Sequence, residues 1–255
     1  MLTAMQPDLI RAAADGRLEE LAAAGDDFIS RGAELGSGLA ACTSSSVSVR
    51  GKLLLGRTDE VLQSLDDSGG MTGVQRDSEV GNRRVQRSRF LAQAGRHADK
   101  RPLLAAAVAG LRAGGEPVAS VSTLFSLMET ALILEDRQIV SFLEKLLAGE
   151  EANAEVWPTG WSVPGRVLGG AAALLGRPEA ARDYYMQALE AMARIHFPPE
   201  IALTRLWLAE LLLAYYPDEA AEAQQHLDFA IEEFRAMQMQ PSLERALRHK
   251  GMRKA

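Results

Sequence analysis

The stretch Leu168–Ala188, LGGAAALLGRPEAARDYYMQA, decides how the rest of the chain is read. Small and apolar residues fall at Leu168, Gly169 and Ala172 before Gly176-Arg177-Pro178, and at Ala181, Tyr185 and Ala188 after it. Each half therefore carries one helical stripe. Gly176 can take the positive φ that ends a helix, and Pro178 suits the first turn of the next one. The stretch is predicted to be two antiparallel helices joined by a tight turn. A lone hairpin cannot bury its own apolar faces, so other parts of the chain must cover them.

The same turn recurs at a nearly fixed interval: Asp15-Gly16-Arg17, Gly56-Arg57, Gly95-Arg96, Glu135-Asp136-Arg137, Gly176-Arg177 and Tyr216-Pro217-Asp218. From Gly16 the steps to positions 56, 95, 135, 176 and 217 are 40, 39, 40, 41 and 41 residues. A period this regular is the signature of a repeat array. Each turn follows an apolar helix ending, such as GKLLLG or AAALLG, and precedes an amphipathic segment, such as TDEVLQSL or PEAARDYYMQALEAM. The chain is thus expected to be all-α, a right-handed α-solenoid of about six helical hairpins over residues 1–240. Residues 241–255 would form a C-terminal capping helix and basic tail over the open end of the stack. The first hairpin reads as lacking most of its leading helix, as in a fragment of a longer chain or an N-terminal cap. Gly114-Gly115-Glu116-Pro117, Pro158-Thr159-Gly160 and Pro198-Pro199 mark inter-repeat turns, and Ser68–Gly73 reads as a mobile loop.

Composition fits this picture. Nearly half of the 255 residues are apolar, enough for a substantial core, and alanine and leucine outweigh β-branched and aromatic residues. No run of eighteen apolar residues and no basic-then-apolar leader is present, so the sequence supports neither a membrane span nor a secretion signal. The single Cys42 excludes an intramolecular disulfide framework and suits a reducing cytoplasm. A net charge of -6 argues against direct binding of nucleic acid.

The pattern Leu168-Gly169-x-x-Ala172, then Ala181, Tyr185 and Ala188, resembles the tetratricopeptide (TPR) consensus, in which small residues let two helices approach and an aromatic fills the gap between neighbours. The sixth unit repeats it as Leu208-Ala209-x-x-Leu212, then Ala223, Leu227 and Ala230, with a two-residue insertion at Tyr215-Tyr216-Pro217. The period departs from the usual repeat of about 34 residues. In that respect, and in the wording LLGRPEAARDYYMQALEAMARIHFPPEIALTRLWLAELLLA, residues 165–240 resemble the C-terminal helical-repeat sensor domains of bacterial signalling proteins. Those are the ATPase-linked LuxR-type regulators, related to the maltose activator, and the multidomain class III adenylate cyclases. The likeness covers roughly the last third of the chain and is weak before residue 90. It implies a regulatory role in binding a ligand or partner, with no catalysis inside the repeats. The phosphate loop, kinase signature and cyclase carboxylates of such proteins are missing from this sequence.

Other motifs carry less. Gly36-Ser37-Gly38-Leu39-Ala40-Ala41 fits a dinucleotide fingerprint but has no strand before it, so the motif loses its mechanism. Ser44, Ser45 and Ser46 lack a recognisable histidine and carboxylate, and His97, His196, His226 and His249 lack metal-ligand spacing. No cofactor, metal or catalytic residue is assigned.

Binding surfaces are better candidates. Arg83, Arg84 and Arg87 lie within one helical turn of a basic run on the third hairpin and could grip a carboxylate or phosphate; the more ordinary reading of such a run is a solvated face that pairs with acids of adjacent repeats, such as Asp59, Glu60, Asp66 and Asp67. In a stacked array the first helices line a groove that takes peptides. The register places Ser122, Phe125 and Glu129 there in the fourth unit, Arg166 and Gly170 in the fifth, and Leu206 and Glu210 in the sixth. Tyr185 reads as repeat core, and Trp157 and Trp161 straddle a turn. The expected function is a non-catalytic interaction or sensor module for a protein or peptide, which could be a neighbouring domain of a larger chain. The alternative is a small-molecule inducer receptor, and a third reading makes the array a homo-oligomerisation scaffold, for instance a homodimer.

Overall fold

Four turns of one design set the course of the backbone. At Gly16, Gly56 and Gly176 φ is 73°, 86° and 81°, a region where a side chain is strained and glycine is not. The residue after each glycine donates its N–H to the carbonyl five residues back: Arg17 to Ala12 at 2.8 Å, Arg57 to Lys52 at 2.8 Å and Arg177 to Ala172 at 2.9 Å. The glycines themselves donate to Ala13, Leu53 and Ala173. This is the Schellman ending, which satisfies carbonyls that the last helical turn would leave open. Glu135 adopts the same conformation without glycine, with φ 53° and an N–H from Asp136 to Ala131 at 2.9 Å. Asp136 then caps the next helix by accepting the Ile139 N–H at 3.1 Å. Gly95, at φ 79°, shares the conformation.

These features come from a computed structural model that describes residues 2–34, 48–67, 85, 88–95, 101–112, 120–148 and 163–252. Among the described residues all regular structure is helical. The helices are α1 (Leu2–Ala14), α2 (Leu18–Glu34), α3 (48–55), α4 (Thr58–Asp67), α5 (88–93), α6 (Arg101–Arg112) and α7 (Val121–Ile133). They continue with α8 (Arg137–Leu147), α9 (Pro164–Leu174), α10 (Pro178–Ile195), α11 (Pro198–Tyr215), α12 (Ala220–Ala236) and α13 (Gln240–Met252). None of them is long and apolar enough to cross a membrane. The expected loop Ser68–Gly73, the dinucleotide-like motif, Cys42, Trp157 and Trp161 lie outside the described residues.

Two expectations about the ends of the array change. α1 has 13 residues, as many as α7, so the first hairpin has a full leading helix. The sixth turn departs from the others: Tyr216 has φ -129° and a 3-10 turn, Pro217–Glu219, leads into α12. The inserted residues and the proline replace the glycine geometry. The Schellman pattern returns after α12, where Gln238 has φ 57° and Met239 donates to the Phe234 carbonyl at 2.8 Å.

The chain divides into two compact units, one built from the residues up to Glu60 together with those from Tyr185 onward, the other from Val61–Tyr184. In the first unit α1 packs on α2, α11 on α12, α12 on α13, and α1 on α11. A linear array brings each hairpin against its sequence neighbours only. Here the first hairpin lies against the sixth. A Cβ on Gly16 would clash with Met237 Sδ, which shows how close the two approach. The core of this unit includes Leu21, Ala181's helical successor Tyr185, Leu206, Leu212, Leu227 and Phe234, all essentially buried. In the second unit α7 is surrounded by α6, α8 and α9. Its core runs through Leu104, Leu127, Met128, Val140, Leu143 and Val167.

Candidate functional site

One register position repeats through the leading helices of the hairpins. Arg50, Arg89, Glu129, Gly170 and Glu210 are separated by 39, 40, 41 and 40 residues, each about six residues before its turn. In the Val61–Tyr184 unit Glu129 is buried between two guanidinium groups, Arg89 Nη1 at 3.3 Å and Arg166 Nη2 at 3.4 Å. Gly170 offers no side chain at this position, and Arg166, one helical turn earlier, reaches the carboxylate in its place. In the other unit Arg50 donates to the buried Glu200 at 2.6 Å. Buried charges are tolerated only when paired in this way.

The expected groove residues are therefore mostly interior. Phe125, Glu129, Arg166 and Leu206 are all buried, and in the structure they hold helices together. The groove reading failed for them because α7 is buried on consecutive residues from Leu124 to Ala131 and α11 is apolar nearly all round. Such helices have no single hydrophobic stripe from which an open face can be read. Arg83, Arg84 and Arg87 lie outside the described residues.

Glu210 is different. It sits on α11 with part of its side chain in solvent and is met by α13. Arg245 donates Nε to Oε1 at 2.7 Å and Nη2 to Oε2 at 2.6 Å, the bidentate fork of guanidinium on carboxylate. His249, one turn further along α13, places Nε2 2.9 Å from Glu210 Oε1. The Arg245 guanidinium also lies 5.6 Å from the Trp207 ring centre, and Tyr185 meets Trp207 edge-on at 6.4 Å. Beside this, Lys250 donates to Asp228 on α12 at 2.5 Å. That hydrogen bond holds the Asp228 carboxyl below its ordinary range against the opposing effect of desolvation, with a lesser contribution from a hydrogen bond with Gln224. Arg245, Ala246, His249 and Lys250 thus present one helical face to α11 and α12.

Two further polar features belong to the same unit. Arg205 Nη1 lies 3.2 Å from His226 Nδ1 and its guanidinium stacks 4.2 Å from the Phe229 ring centre; burial lowers its pKa. A solvent-open depression of about 330 Å³ is lined by Glu19, Arg57, Phe234, Arg235, Gln238 and Leu243, with Arg57 paired to Glu19 at 2.5 Å. Among the described residues no three His, Cys, Asp or Glu side chains converge as metal ligands would. The arginines that follow the turns act between hairpins: Arg137 Nε donates to the Leu174 carbonyl at 2.8 Å, and Arg177 pairs with Glu144.

No family model matches the chain, and no curated protein matches it.

The sequence reading singled out Glu210 but missed Arg245, His249 and Asp228. Their signal was present: a carboxylate at the repeated register position, followed by a cationic helix with charges spaced four residues apart.

Proposed function

We propose that this chain is a non-catalytic, TPR-like helical-repeat module of signalling type that binds a protein or peptide segment. The observation that carries the reading is the recurrence of one turn geometry at Gly16, Gly56, Glu135 and Gly176, at the sequence period of the repeats. Hairpins joined alike carry alike faces, and the surfaces that repeated hairpins create are suited to polypeptides. The repeated register position adds to it, because four of its five residues carry charge. A solenoid arrangement of the hairpins and a cytoplasmic setting form part of this proposal.

The inducer-receptor reading keeps one observation, the depression between Arg57 and Phe234. Its volume is at the lower end for small-molecule sites, which run from roughly 300 to 1,000 Å³ and enclose most of the ligand. The test is to probe the purified chain with an array of immobilised peptides and, separately, with a metabolite library by thermal shift. The interaction module binds a subset of peptides saturably and is not stabilised by metabolites. Stabilisation by a small molecule with no peptide bound would overturn the proposal in favour of the receptor.

A further inference from the structure

α13 is held to its unit by the ion pairs of Arg245 and Lys250 around a small apolar contact made by Pro241, the half-buried Leu243 and Ala246. Ala246 is the fully buried residue within the helix, while Leu247 is 39% exposed and Arg245 and Lys250 keep much of their side chains in solvent. Partly exposed ion pairs contribute little net stability and are weakened by salt. A helix fixed in this way opens far more easily than α12, whose Ala223, Leu227, Ala230 and Phe234 are wholly buried. Opening about the Gln238–Met239 turn would uncover Glu210, with its forked acceptor geometry, the Trp207 ring and Asp228. These groups are laid out for a helix that carries an arginine, then a histidine four residues on and a lysine five residues on.

Resting on the proposal of an interaction module, we infer that α13 is a resident stand-in for the partner, and that the partner is a basic amphipathic helix that replaces it on α11 and α12. The arginine of the partner takes the bidentate place on Glu210 and stacks on Trp207, and a second cation one turn later meets Asp228. The net charge of -6 favours approach of such a segment. α13 sets the threshold for binding, because the incoming helix must displace it.

The experiment uses the full chain and a fluorescent peptide of residues 240–255, QPSLERALRHKGMRKA, as the probe. The double variant R245E/K250E, which places like charges against Glu210 and Asp228, is predicted to remain helical and to bind the peptide at least tenfold more tightly than the unaltered chain. Adding Glu210→Arg to it removes the gain, and 0.5 M salt weakens the binding. R245Q, which loses the fork without reversing charge, gives an intermediate affinity. Equal affinity in released and unaltered chains overturns the inference, and so does loss of the fold in both R245E/K250E and R245Q, since α13 would then be an integral cap. A stable complex between the released variant and the unaltered chain would assign the site to a second copy and overturn the separate partner. If the chain binds arrayed peptides elsewhere, independently of Glu210, this inference fails while the interaction module stands.

Discussion

Glu129 makes the sharpest case for what a single residue does in this fold. Its carboxylate is buried between Arg89 and Arg166, which come from helices on either side of it in sequence. Glu129→Ala would leave two guanidinium groups facing each other in the interior, and is predicted to destabilise the protein by about 3 kcal/mol in urea unfolding. The turn glycines give a graded comparison. At Gly176 a Cβ meets nothing closer than Arg137 Nη2 at 3.9 Å, so Gly176→Ala should cost about 1 kcal/mol, the conformational penalty alone. Gly16→Ala adds a clash with Met237 and should lower the melting temperature by several degrees more. The glycines were legible in the sequence because a positive φ favours that residue, whereas Glu135 and Gln238 take the same conformation without such a signal. The burial of Glu129 was not, because a glutamate at helical spacing ordinarily points to water, and its partners lie 40 and 37 residues away.

At the level of elements the turns and most helices followed from period and punctuation. The faces of α7 and α11 did not, since helices packed on several sides lose the contrast that defines a face. α13 was foreseen as a cap, but its dependence on charge emerges only from its contacts. That dependence has a pH signature. Asp228 is held below the ordinary carboxylate range in the folded state, so its contribution is fully present above the unfolded value near pH 4 and is lost as pH falls through the lowered one. Acidification below about pH 4 should therefore loosen α13, and Lys250→Ala should remove the part of that effect that runs through Asp228, leaving the part carried by the Glu210–Arg245 pair; hydrogen exchange at its amides reads both. The effect is small, because Lys250 and Asp228 are both substantially exposed.

At the scale of the molecule, the chain is all-helical as expected, while the first hairpin packs where a linear array would not put it. A sequence period reports that hairpins are alike, not which hairpin closes against which. The buried Arg50–Glu200 pair and the approach of Gly16 to Met237 join residues up to Glu60 with α11 and α12 in one unit. Glu200→Ala should then raise exchange in α1, α3, α11 and α12 together, as a single cooperative unit; a response confined to α11 would speak against that coupling. The proposed partner site is the face of this unit that α13 covers. Hydrogen exchange of the unaltered chain at neutral pH tests that most directly. α13 is predicted to exchange at least a hundredfold faster than α12 and to speed up further in 0.5 M salt. Exchange of α13 at the rate of α12, insensitive to salt, would contradict a displaceable helix over a partner site.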